Sequence, residues 1–208
     1  GAEQTGFITD LGFDTYHKIL DDAIQELKET DFKELFAEEL SAKAKLIVPD
    51  CTIETDLEVL IPDSYINNTS ERLQLYSTLD NIKDEKSLLD FRDSLKDRFG
   101  SLPDSVEQLI NTVRLRWMGE ALGFEKLSLK NEKLRGYFVT GNNEYFKSEI
   151  FGRVLSFVQT HTKRCRMKDM AGKLILTIES IGSVEAATEI LGPLAYYSNV
   201  KSLSETPS

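Results

Sequence analysis

Phe124-Glu125-Lys126-Leu127-Ser128-Leu129-Lys130-Asn131-Glu132-Lys133-Leu134-Arg135-Gly136-Tyr137-Phe138-Val139 is the stretch on which the fold turns. It reads as two strands, 124–129 and 134–139, joined around Asn131-Glu132. A helical pattern precedes it: from Pro103, a favoured first-turn residue, Val106, Leu109, Ile110, Val113, Trp117 and Ala121 mark one core face, and Gly123 stands at the stop position. Downstream, a helix is expected near 149–159. A second strand pair, 163–170 and 173–179, turns at Ala171-Gly172, and Val184, Ala187, Ile190 and Leu191 mark a closing helix. Strands and helices are interspersed without regular alternation. The expected class is therefore α+β, with a small antiparallel or mixed sheet, rather than a doubly wound fold.

Working outward to the N-terminal side, Leu88, Phe91, Leu95 and Phe99 form a helical stripe closing at Gly100, one short loop before Pro103, which predicts a helical hairpin. An earlier helix uses Leu75, Leu79 and Ile82. Leu57, Val59 and Ile61 alternate with Asp56, Glu58 and Leu60 before Pro62-Asp63, the pattern of a strand ending in a turn. Further upstream, Tyr16, Ile19, Leu20, Ala23, Ile24 and Leu27 fall on one helical stripe, and Phe32, Leu35, Phe36 and Leu40 continue the period until Pro49-Asp50. This predicts a helical arm ahead of the domain. The division expected is 1–45 for the arm, 46–203 for the domain and 204–208 for a frayed tail.

The chain has 208 residues, of which 40% are apolar, enough to fill a core. Its net charge of −10 is unevenly placed: residues 1–60 hold 15 acidic and 5 basic residues, whereas residues 61–208 hold 20 of each. Such a balance opposes stand-alone binding to nucleic acid or to an anionic membrane. No apolar run approaches a membrane span and no cationic start leads into one, so a cytoplasmic location with no membrane partner is expected. Cys51 and Cys165 are the only cysteines, too few for a disulfide framework or a CxxC metal site, and read as small buried hydrophobes.

No catalytic residue and no metal ligand set is predicted. Neither GxxxxGK[ST] nor GxGxxG occurs, so ATP or NAD binding by this chain is not expected. His17 and His161 read as solvated, and the adjacent pairs Asp21-Asp22 and Glu38-Glu39 diverge by about 100° on a helix rather than converging on a substrate. The one cationic cluster, His161 to Lys168, would put Arg164, Arg166 and Lys168 on one strand face and Cys165 and Met167 on the other. That fits a phosphate-contacting strand; it fits better an edge strand whose charges deter pairing, because no aromatic residue interleaves it. At the end of the hairpin's first helix, Arg98 suits the helix macrodipole, and the Asp97-Arg98 pair at an exposed corner also suits a docking surface.

The order I-P-D-x-Y-I at 61–66, R-L-x-x-Y at 72–76, D-R-F-G-x-L-P at 97–103, then R-L-R at 114–116 before L-G-F-E-K at 122–126, resembles the C-terminal domain of the bacterial transcription-repair coupling factor family. Upstream, 1–8 and 11–16 are similar to the end of that family's translocase motor, related to the branch-migrating translocase RecG. There Gln4 matches the glutamine of the translocation motif, with Thr5 in place of the usual Ser. The resemblance covers roughly 50–140. It implies that the parent is an ATP-driven double-stranded DNA translocase that displaces stalled RNA polymerase and recruits the excinuclease-A protein, with ATP bound outside this chain and no cofactor within it. It further implies that this domain is non-catalytic and autoinhibitory, docking on an N-terminal module similar to the excinuclease-B protein. Asp97 and Arg98 carry over as docking residues, with Ser94 where relatives are expected to have Glu. The alternative reading is an accessory nucleic-acid-binding domain that uses the basic strand 163–168.

Overall fold

The computed structural model describes residue 48 and residues 50–195. Gln4, the predicted arm and the predicted tail lie outside the described residues. The elements in chain order are β1 (Thr52–Thr55), α1 (Thr69–Asn81), α2 (Glu85–Phe99), α3 (Asp104–Leu122), β2 (Phe124–Lys130), β3 (Lys133–Phe138), the single turn α4 (Asn143–Phe146), α5 (Glu149–Thr160), β4 (Cys165–Met170), β5 (Lys173–Glu179) and α6 (Val184–Ala195). The sheet order is β1-β2-β3-β5-β4, parallel between β1 and β2 and antiparallel elsewhere. The fold is α+β with a mixed sheet.

Both tight hairpins form where predicted, and each turn puts two residues in the left-handed region: Asn131 and Glu132 at φ 53° and 56°, Ala171 and Gly172 at φ 55° and 78°. Positive φ at both central positions is the two-residue turn whose twist matches that of the strands it joins. Side chains then alternate. Leu127, Leu129, Leu134, Phe138, Met167, Leu176 and Ile178 enter the core with α3, α5 and α6. Phe124, Phe138, Tyr145 and Phe151 pack there with ring centroids 4.6–6.1 Å apart. Gly136 is required by this packing, since a Cβ would lie 2.4 Å from the Phe124 ring.

A second cluster gathers Leu79 and Ile82 at the end of α1, Leu88, Phe91 and Leu95 of α2, and Val106, Ile110 and Val113 of α3. Helices α2 and α3 form an antiparallel hairpin around this apolar cluster, and the Glu85 to Arg114 ion pair joins the start of α2 to the middle of α3. Helix α3 is the wall between the clusters. Its expected apolar face meets the hairpin, but Leu115, Met118 and Leu122 form a second buried face against the sheet, which a single helical stripe does not reveal.

Two boundaries upstream of β2 differ from expectation. The strand lies at Thr52–Thr55 rather than across Leu57, Val59 and Ile61. Burial does alternate through 56–61, with Leu57 and Val59 half-buried and Ile61 buried. The ladder stops earlier because Thr55 pairs with Leu129, at the end of β2. Extended backbone alone produces the period of two; a strand also needs a neighbour. Pro103 is the residue before the first helical turn of α3, not within it, and its carbonyl accepts from the Val106 and Glu107 amides.

Candidate functional site

The family-like motifs assemble one corner around the start of α1 and the end of α2. Pro62 offers its carbonyl to the amides of Tyr65 and Ile66, folding 62–66 into a turn, while Ile61 and Ile66 are buried. The Tyr65 hydroxyl donates to the carbonyls of Leu95 (3.2 Å) and Gly100 (3.0 Å), at the end of α2. The Gly100 carbonyl, at the C-cap, belongs to the group that a helix end leaves without intrahelical donors. Tyr76 Oη accepts from the Ile61 amide at 2.7 Å. Arg72 Nη1 donates to the Ile66 and Asn67 carbonyls. Gly100, at φ 86°, lets the chain leave α2 sharply.

On this support, Ser94, Asp97 and Arg98 stand at i, i+3 and i+4 of α2, so they share one face, and all three are exposed. Arg98 pairs with Glu71 in the first turn of α1 and lies over the Phe99 ring, 4.7 Å from its centroid. Both charges sit at helix ends of the favourable sign. The pairing is not legible in the sequence: Glu71 is close to the R-L-x-x-Y motif, but only the fold brings it to Arg98, 27 positions along the chain. A shallow groove lined by Gln74, Leu75, Ser77 and Thr78 runs from this ion pair along α1.

The basic strand begins at Cys165 rather than at residue 163, so Arg164 precedes it; within it Cys165 and Met167 are buried and Arg166 and Lys168 exposed, at the sheet edge. Arg164 is used structurally. Its guanidinium donates to the Glu179 and Ser180 carbonyls, Ser180 being in the left-handed region at φ 61°. On the sheet face opposite the core, register adds residues that sequence reasoning does not assign: Lys126, Lys130, Lys133, Arg135 and Tyr137. Their polar positions in β2 and β3 are legible, but insertion of β5 between β3 and β4, which joins them to Arg166 and Lys168, is not.

The two cysteines are buried as expected. Burial pushes the Cys51 thiol up to about 12, helped by Glu120 and Asp50, and burial pushes Cys165 up to about 11 against the opposing effect of Arg164. Such thiols are poor nucleophiles and metal ligands. His161 lies exposed after α5, stacked on Phe157, with Nδ1 2.8 Å from the Phe157 carbonyl. Among the described residues no group of acidic, histidine and cysteine side chains could hold a metal ion, and no helix is long and apolar enough to cross a membrane.

A family model for the TRCF domain matches residues 55–148. This segment is a TRCF domain. The match takes in β1's last residue through α4, including the whole corner. Among solved structures, one titled as the crystal structure of the C-terminal domain of transcription-repair coupling factor is similar, with a TM-score of 0.56 at 16% identity over 71% of this chain and 95% of that one. At that identity the likeness is one of fold. It agrees with the architecture here, where α5, β4, β5 and α6 complete the sheet and core beyond the TRCF match. No match is found among curated proteins.

Proposed function

We propose that the chain provides the non-catalytic C-terminal regulatory domain of an ATP-dependent DNA translocase that couples transcription to nucleotide excision repair, and that the α1–α2 corner docks it on an excinuclease-B-like N-terminal module of the same protein. The observation that supports this reading is the corner itself. Within a TRCF domain, Ser94 and Asp97 project from a helix end that Tyr65 caps and Arg98 ties to α1. A surface held this firmly keeps its charges in register for a partner at little entropic cost. In the parent, docking hides the surface used by the excinuclease-A protein and restrains the motor, while ATP, double-stranded DNA and RNA polymerase engage other parts of the protein in the cytoplasm.

The energetics suit a reversible clamp. Exposed ion pairs contribute about 0–1 kcal/mol each, so a clamp of several releases when a competing partner supplies a few kcal/mol. The test is a calorimetric titration of the N-terminal module with the wild-type chain and with Asp97→Ala/Arg98→Ala. The double variant should bind at least about tenfold more weakly, the equivalent of 1.4 kcal/mol, with its circular dichroism unchanged. Equal affinity for both would place the docking surface elsewhere.

A further inference from the structure

The sheet face turned away from the helices carries a cationic platform. Register aligns Lys126, Tyr137, Ile175 and Lys168 in one row across β2, β3, β5 and β4, and Ser128, Arg135, Thr177 and Arg166 in the next. On β1, the next strand of the sheet, Thr52 continues the first row and Glu54 the second. The carboxylates paired with cations of this face include Glu54 on β1, 3.6 Å from Lys126 and 3.2 Å from Lys130, Glu179 at the end of β5, 3.4 Å from Lys133, and Glu125, 3.6 Å from Lys173. Tyr137 presents its ring among these cations, with Lys126 Nζ 4.4 Å from the centroid.

We propose that this face binds a single strand of nucleic acid, with backbone phosphates on Arg135, Arg166 and Lys168 and one base stacked on Tyr137 once Lys126 has swung from the ring to a phosphate. Strands lie about 4.8 Å apart and alternate residues about 6.7 Å apart along a strand, so the three cations form a flat lattice rather than a point site. A lattice of this kind tracks an extended polyanion. An acidic peptide would satisfy the cations but not the ring, and a duplex offers no open base face for stacking, whereas a single strand uses both. Residues 61–208, which include β2 to β5, hold 20 acidic and 20 basic residues, so this part of the chain carries no net charge to oppose a polyanion. The surface is distinct from the α1–α2 corner and does not depend on docking.

The experiment is fluorescence anisotropy of a labelled twelve-nucleotide oligothymidine titrated with the full chain at about 20 to 200 mM salt, the range over which phosphate contacts are lost. Binding should weaken with salt. Arg135→Gln/Arg166→Gln/Lys168→Gln should flatten the log–log slope by about 2, at roughly 0.7 per phosphate contact on a single strand. The charge-matched control Lys83→Gln/Lys86→Gln/Lys96→Gln, all exposed in or just before α2, should leave it unchanged. Tyr137→Ala should weaken binding about 5- to 150-fold and Tyr137→Phe should restore it. Absence of binding at the lowest salt would overturn the proposal. So would equal loss in the control variant, or competition by polyglutamate as effective as unlabelled oligonucleotide together with an indifferent Tyr137→Ala.

Discussion

Tyr65 shows how a motif residue acts through a single atom. Its ring packs edge-on to Phe99, with centroids 5.9 Å apart, and its hydroxyl closes the end of α2. Tyr65→Phe keeps the ring and removes the cap, so it should cost about 0.5–1.5 kcal/mol in urea unfolding. The same substitution should weaken docking, because Asp97 and Arg98 ride on that helix end. The cysteines make a second prediction at this scale. Both thiols keep their protons in the folded chain up to about pH 11–12, whereas an unfolded cysteine ionises near its ordinary value of about 8.5. Above about pH 8.5 the unfolded state therefore binds fewer protons than the folded one. Their contribution to stability is complete below that pH and declines as pH rises toward about 11–12. Urea midpoints measured from about pH 8 to about pH 11 should fall, and should fall less steeply in Cys51→Ala/Cys165→Ala. At about pH 8 a thiol reagent should label neither residue in the native chain, and both after denaturation.

Among the elements, α3 decides most. It meets the hairpin with one face and the sheet with another, and the sheet side is so close that a Cβ on Gly119 would lie 2.4 Å from Cys51 Sγ and 3.0 Å from Leu127 Cδ1. Alanine is ordinarily worth about 1 kcal/mol over glycine inside a helix. Here the crowding should win, so Gly119→Ala should destabilise the chain by about 1–3 kcal/mol. Adding Cys51→Ala should recover part of that loss, a coupling that a double-mutant cycle in urea measures. This contact also shows what is legible in the sequence. The hairpin turns at Asn131-Glu132 and Ala171-Gly172, the closing Gly100 and Gly123, and the apolar face of α2 are local signals, and each can be read. The parallel pairing of β1 with β2 and the insertion of β5 beside β3 are not local; no residue pattern in either strand names its neighbour. Gly119 reads as an ordinary helical position for the same reason, since its neighbour Cys51 lies far away along the chain, ahead of β1. At the corner, Asp97 and Arg98 are identified through the resemblance, but the Glu71 partner requires the fold.

For the whole molecule, the described residues carry charge on separate surfaces. Residues 61–208 hold 20 acidic and 20 basic residues, and among them are a charged corner on the helical hairpin and a row of cations on the sheet face. The two surfaces rest on different apolar clusters, the corner on that of the helical hairpin and the sheet face on that of the sheet. The central claim is that the corner restrains the parent motor by docking. The most direct measurement is steady-state ATP turnover of the full-length parent carrying Asp97→Ala/Arg98→Ala, compared with wild type and with the parent lacking this domain. The account predicts that the double variant hydrolyses ATP several-fold faster than wild type and approaches the rate of the deletion. A deletion that accelerates turnover while the folded double variant stays at the wild-type rate would contradict it.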